Sequence, residues 1–170
     1  MVDEIAIRQY APSDLERCRA LWVELTESHR ELYDDPTIGG NDPGLHFDEY
    51  LGRAGRERIW VAECEGHVVG CAGLLAGHDG MEVDPLVVAA THRGRGIGRA
   101  LLDRMIEEAR KLEVRYLSVK PVARNLEAIS LYYECGLRML GQIEMFMELQ
   151  PSDSSTWKSG LELFGLVFEY

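Results

Sequence analysis

The sequence predicts a single α/β domain built on a mixed, mostly antiparallel sheet, and three observations predict it. Apolar, β-branched runs separated by short turns fill residues 58–89, the pattern of an antiparallel meander. The last run, Pro85-Leu86-Val87-Val88-Ala89, ends in three glycines at every second position: Gly94, Gly96 and Gly98. Beyond them Ile97, Leu101, Leu102, Met105, Ile106, Ala109 and Leu112 mark one face of a 3.6-residue period, an amphipathic helix that must cross back over the sheet. At 170 residues the chain is long enough for one domain with a sizeable core.

Taken in order, Ile5 to Tyr10 alternates as a first strand. Pro12-Ser13-Asp14 opens a helix with Ser13 or Asp14 as its cap, and Leu15, Cys18, Leu21, Trp22, Leu25 and His29 carry it to about Leu32. Residues 34–44 hold two prolines and three glycines and form a loop. Phe47, Tyr50 and Leu51 indicate a second short helix, ended by Gly55. Arg58–Cys64 and His67–Leu75 are antiparallel strands around a Glu65-Gly66 turn. A second turn at Gly77–Gly80 leads into the strand Met81–Ala89. Arg115–Val122, reached through the helical crossover, runs parallel to Met81–Ala89. Pro121 near its end cannot donate to a ladder and marks a place where pairing stops. Asn125 caps a further helix with Ala128, Ile129, Leu131 and Tyr132 on its buried side, and Gly136 closes it. Arg138–Leu149 supplies one or two more strands, Pro151–Thr156 is a polar linker, and the apolar tail Trp157–Tyr170 needs a surface to bury itself against.

A net charge of −11 argues against a nucleic-acid backbone as partner and suits a cationic acceptor such as an amine. No apolar run approaches a membrane span, and Met1-Val2-Asp3-Glu4 lacks the form of a signal peptide, so the cytoplasm is the expected location. Cys18, Cys64, Cys71 and Cys135 form no C-x-x-C pair, so neither a metal site nor a disulfide frame is indicated. Against the acidic background, His92, Arg93, Arg95 and Arg99 make a basic island on the glycine turn. Strand, glycine turn and helix N-terminus together make an anion cradle. The first turn of a helix has unpaired N–H groups, and glycines let them approach a phosphate. The turn lacks the sixth-position glycine of a dinucleotide fingerprint and the Gly-Lys-Ser/Thr ending of a Walker loop.

What it does carry, Val88 followed by Arg93-Gly94-Arg95-Gly96-Ile97-Gly98, resembles the acetyl-coenzyme A signature of the GCN5-related N-acetyltransferases (GNAT). Asn125, Ala128, Ile129, Tyr132 and Gly136, in that order, are similar to a second conserved segment of the same family. The resemblance covers roughly residues 5–149, and its departures, Ala90, Tyr133 and Leu137, remove no polar group the chemistry needs. It implies a GNAT-like sheet of six to seven strands flanked by about four helices, with the parallel pair splayed around the cofactor. The domain division is then 1–150 for the acetyltransferase unit and 151–170 for an extension packed on it or on a dimer partner.

The resemblance also implies a site. Acetyl-CoA as cosubstrate is held by the backbone of Leu86, Val87 and Val88, by Arg93, Gly94, Arg95, Gly96, Ile97, Gly98 and Arg99, and by Asn125. Tyr132 faces the thioester sulfur. Glu82 is the candidate base, with Asp84, two residues along the same strand, as the alternative. The acidic stretch containing Tyr33, Asp34, Asp35, Asp42, Asp48 and Glu49 lies where the family places acceptor specificity. The expected activity is direct acetyl transfer to a small-molecule or peptide amine in a ternary complex, with no metal. The competing expectation is a non-catalytic acyl-CoA-binding module, and a homodimer is the expected protein partner.

Overall fold

The computed structural model describes residues 5–77, 80–145, 147, 149 and 157–170. The readings made at Met1–Glu4, at His78 and Asp79 of the second turn, at 146, 148 and 150, and for the linker 151–156 lie outside them. Strands β1 (Ile5–Gln9), β2 (Ile59–Cys64), β3 (His67–Ala76), β4 (Gly80–Val88) and β5 (Tyr116–Ser118) form a five-stranded sheet in sequence order. The first three pairings are antiparallel, and only β4 with β5 is parallel. Helices α1 (Leu15–Tyr33) and α2 (Leu45–Ala54) cover one face, and α3 (Ile97–Lys111) covers the other. Helix α4 (Leu126–Glu134) follows β5. Two further strands, β6 (Ser159–Leu163) and β7 (Leu166–Glu169), bring the total among the described residues to seven but form a separate hairpin.

Each face buries what its periodicity requires. Cys18, Leu21, Phe47, Tyr50 and Ala54 pack on Ile59, Val61, Cys71 and Val87. Ile97, Leu101, Leu102 and Met105 pack on Trp60, Ala62, Leu74 and Val83. The Glu65-Gly66 turn has left-handed φ at both residues (50° and 77°), as a two-residue hairpin requires. Cys18, Cys64 and Cys71 are buried free thiols, and Cys135 is half-buried. Among the described residues no helix is long and apolar enough to cross a membrane.

Three local readings need correction. Asp14 sits at the α1 start but caps no helix N–H. Its carboxylate instead accepts from Ala11 N (2.8 Å) and pairs with Arg8 (2.7 Å), whose guanidinium also reaches Glu63 (2.8 Å). The Arg8 hydrogen bonds hold the Asp14 carboxyl below its ordinary range, and its oxygens are engaged by Arg8 and Ala11 N rather than by a helix N–H. Ile129 is exposed rather than on the buried side of α4, which turns Leu131 and Tyr132 toward the α3-side core. Finally, the described residues of 138–149 form no strand: β5 is three residues long and leaves too short an edge to template another.

The C-terminal strands come from the tail instead. Phe164 and Gly165 take left-handed φ (56° and 74°), closing β6 on β7. Arg124, 7% exposed, fastens this hairpin to the domain. It donates to the Tyr170 carbonyl (2.7 Å) and the Leu32 carbonyl (3.1 Å), and stacks over the Tyr33 ring (4.5 Å). Deleting residues 157–170 strips the Tyr170 carbonyl from a buried guanidinium and leaves it only Leu32 O of the two, so the melting temperature should fall by several degrees. Calorimetry checks this, and an unchanged melting temperature contradicts it.

Candidate functional site

Strand β4 positions the site, and its most consequential feature is a bulge. Pairing passes from Leu74↔Val83 to Ala72↔Leu86, so β4 advances three residues where β3 advances two. The extra residue lies at Asp84-Pro85, whose peptide bond is cis. Side-chain direction changes across it. Before the bulge Met81 and Val83 face α3; after it Leu86 and Val88 do, and Val87 turns toward α1 and α2.

The parallel edge opens here as well. β5 pairs with β4 only at Gly80, Met81 and Glu82, and Pro121 follows beyond Ser118. From Val83 onward the β4 edge therefore faces a gap. Ala89 N donates to Val69 O (2.8 Å), so alternation turns the Val87 backbone toward β3 and the Leu86 and Val88 backbone into the gap. Arg93 Nε reaching Val88 O (3.2 Å) agrees with this direction. Of the three residues expected to hold a pantetheine arm by their backbone, Leu86 and Val88 face the opening and Val87 does not.

The glycine loop follows. Gly94 and Gly96 have left-handed φ (73° and 81°), and Gly96 stands immediately before α3. A Cβ added at either would meet nothing within 4 Å, so the loop is open to solvent on that side. The first intrahelical bond is Ala100 N to Gly96 O (3.0 Å), which leaves the N–H groups of Ile97, Gly98 and Arg99 ahead of the ladder. Gly98 lets α3 start tightly against α4, since a Cβ there would stand 3.3 Å from Leu131. Backbone N–H groups and a helix N-terminus suit a pyrophosphate.

Each of the three arginines on or beside the loop has a partner within the chain. Arg93 is turned back, donating to Val88 O and to Ser28 Oγ (3.1 Å). Arg95 donates to Thr91 O (3.3 Å), and Arg99 pairs with Glu134 (3.2 Å). They brace the loop. Residues absent from the sequence reading do the same: Glu24 accepts from Ala90 N (3.0 Å) and pairs with Arg17 (3.2 Å), which donates to Val68 O (2.9 Å). Arg17, Glu24 and Ser28 share one face of α1 by spacing, a signal visible in the sequence although their partners, far along the chain, are not.

The titratable groups gather around the bulge. Glu82 is held by Lys120 at 2.6 Å, and that carboxylate raises the Lys120 ammonium above its ordinary value. Asp84 is half-buried and, among the described residues, has no hydrogen-bond or ion-pair partner. Burial pushes its carboxyl up, the Glu82 charge adds to this, and Arg53 and Lys120 oppose it. Tyr132 is raised mainly by burial and next by the Asp84 charge. Tyr133 is 58% exposed under the Arg138 guanidinium, which leaves Tyr132 as the inward tyrosine of the pair. Asn125 Oδ1 accepts from Ala128 N (3.0 Å), the expected cap. In the acidic stretch, Asp48 pairs with Arg19 (2.7 Å) and Asp35 binds Thr37 N (2.8 Å), so two of its carboxylates have structural work. Among the described residues no cluster of side chains is arranged to hold a metal ion.

Known proteins resemble this chain in sequence and in fold. A family model described as acetyltransferase (GNAT) family matches residues 15–137. N-acetyltransferase 8 of Rattus norvegicus is 32% identical over 118 residues, covering 65% of this chain and 49% of the rat protein. The chain thus spans about half the length of that relative. The uncharacterized N-acetyltransferase YvbK of Bacillus subtilis (strain 168) is 27% identical over 153 residues, covering 88% of this chain and 95% of YvbK. Among solved structures, AAC(6')-Iy in complex with the bisubstrate analog CoA-S-monomethyl-acetylneamine has the same fold. Its TM-score is 0.62 at 17% identity, over 85% of this chain and 98% of that one.

Proposed function

From the premise that this chain belongs to the acetyltransferase (GNAT) family, we propose that it transfers the acetyl group of acetyl-CoA to a primary amine by direct attack in a ternary complex. The observation that carries the reading is the meeting of two features at one point. The open glycine loop at the α3 N-terminus stands at the end of the β4 edge that β5 leaves unpaired. That solved relatives bind CoA or a CoA-linked analog supports the choice of ligand.

Acetyl-CoA supplies an activated thioester. The N–H groups from Gly94 to Arg99 hold the pyrophosphate, and the exposed backbone of Leu86 and Val88 aligns the arm and polarises the acetyl oxygen. Arg93, Arg95 and Arg99 help keep the loop in shape and set positive charge beside the pyrophosphate. Asp84 takes the proton of the acceptor ammonium, a role for which its raised carboxyl is better matched than a free one. Glu82, committed to Lys120, gives way to it. Tyr132 stays protonated, because burial lifts it further above an already high ordinary value of about 10. Full transfer to a thiolate with a pKa of roughly 8.5 is uphill, so Tyr132 stabilises the leaving sulfur by donating a hydrogen bond.

The test is thiol release from acetyl-CoA with a panel of primary amines. Turnover with any of them supports the enzyme reading, and binding without turnover across the panel points to the non-catalytic module. In an active enzyme Tyr132→Phe should lower kcat by about 100-fold with acetyl-CoA affinity within about twofold. Unchanged kcat contradicts the role.

A further inference from the structure

The aromatic cluster beneath the bulge contains a fully buried side-chain polar atom with no hydrogen-bond partner among the described residues. Tyr50, on α2, is 2% exposed and packs against Trp22 (ring centroids 5.5 Å apart) and Phe47 (6.0 Å). Its hydroxyl is buried and has no hydrogen-bond partner among the described residues. It lies against Gly73, where any Cβ would overlap it. Gly73 sits between Ala72 and Leu74, directly across from the Asp84-Pro85 bulge. A phenylalanine would fill the same space without leaving a buried donor unmet. Across the bulge Asp84 presents the reverse deficit, a half-buried acceptor without a donor.

We propose that the Tyr50 hydroxyl is a positioning residue for Asp84, donating through one bound water to its carboxylate and holding it charged and oriented. This rests on the reading of Asp84 as the base. A single water fits the polar chemistry of the spot: it accepts from Tyr50 Oη, donates to the carboxylate, and keeps a lone pair for an acceptor N–H. Proton transfer then balances without a co-reactant. The ammonium N–H bond breaks as a water O–H bond forms, and the water's other proton passes to Asp84. The charged groups acting on Asp84 are Glu82 from its own strand, Arg53 from α2 and Lys120 beyond β5, and the Asp84 charge in turn reaches Tyr132 of α4. Cys71 of β3 adjoins Tyr50. Burial raises the phenol far above its ordinary value, so it is a donor at every working pH. A donor to the charged carboxylate opposes the desolvation of Asp84.

Tyr50→Phe keeps the ring and the packing. The Asp84 carboxyl is followed by 13C NMR titration in the free wild-type and Tyr50→Phe proteins, with melting temperatures recorded alongside for both and for Asp84→Asn. The Asp84 midpoint is expected to rise by about one pH unit, a tenfold change in proton affinity. The melting-temperature effect of Tyr50→Phe should be present at about pH 8 and vanish in the Asp84→Asn background. A midpoint unchanged in Tyr50→Phe overturns the assignment, and a rise in melting temperature at every pH identifies the hydroxyl as a plain unpaired group. These readouts need no acceptor. An Asp84 that shifts in a protein whose melting ignores acetyl-CoA overturns the acetyl-transfer reading instead, so the two failures are separable.

Discussion

Asp84→Asn should reduce turnover by roughly 10²–10⁴-fold while making the free protein more stable at neutral pH. Burial raises the Asp84 carboxyl in the folded state above its unfolded value of about 3.9. The folded chain therefore binds this proton more tightly than the unfolded one. Stability contributed by the protonated form is lost as pH climbs from the unfolded value through the folded one, and above both the full cost of the buried charge is present. Asparagine never carries that cost. The melting-temperature gain should thus appear above the folded midpoint and fade below about pH 4. Glu82→Gln, which breaks a pair at the last β4 position that β5 covers, should change turnover by less than about threefold. A larger loss in Glu82→Gln than in Asp84→Asn would return the base to Glu82.

The largest stability effect is expected at Gly73. Its φ is not in the left-handed region, so alanine meets no backbone obstacle and the outcome isolates packing. The new Cβ would overlap Tyr50 Oη and stand 3.0 Å from Tyr50 Cζ and 3.1 Å from Arg58 O. Neither neighbour yields easily: Tyr50 is wedged between Trp22 and Phe47, and Arg58 offers backbone. Gly73→Ala should destabilise by about 3 kcal/mol, at the upper end of overpacking costs. Adding Tyr50→Phe removes the atom in conflict and should recover part of the loss in a chemical-denaturation cycle. A single variant within about 0.5 kcal/mol of wild type, or a double variant no better than the single, contradicts the contact.

Gly73 also shows where a sequence stops being informative. Alternation along residues 59–64 and 67–75, the Glu65-Gly66 turn, the glycine loop and the Asn125 cap are local features, and the structure forms each where its residues indicate. The extra residue at Asp84-Pro85 is not local. It exists only in the pairing of β4 with β3, and it separates Asp84 from the environment of Glu82 although the two are neighbours on one strand. The same holds for the Lys120 pair on Glu82, for Arg93 turning to Ser28, and for Glu24 holding Ala90. Each joins residues dozens of positions apart. At 138–149 local pattern and structure part company: the residues alternate like a strand, but β5 offers only three positions, and the additional hairpin forms from the tail, where Phe164-Gly165 can turn.

On the proposed reading, the loop from Gly94 to Arg99 and the open β4 edge bind acetyl-CoA. Thermal melting with and without acetyl-CoA, with ATP and NAD as controls, tests it most directly. At a concentration 100 times Kd, linkage gives about 2.7 kcal/mol, a rise of roughly 5–10 °C for a chain of this size. The account predicts that rise with acetyl-CoA alone, and its loss in Gly96→Val, where a β-branched residue must adopt left-handed φ and cover the open face. No rise, or an equal rise with ATP, would contradict it.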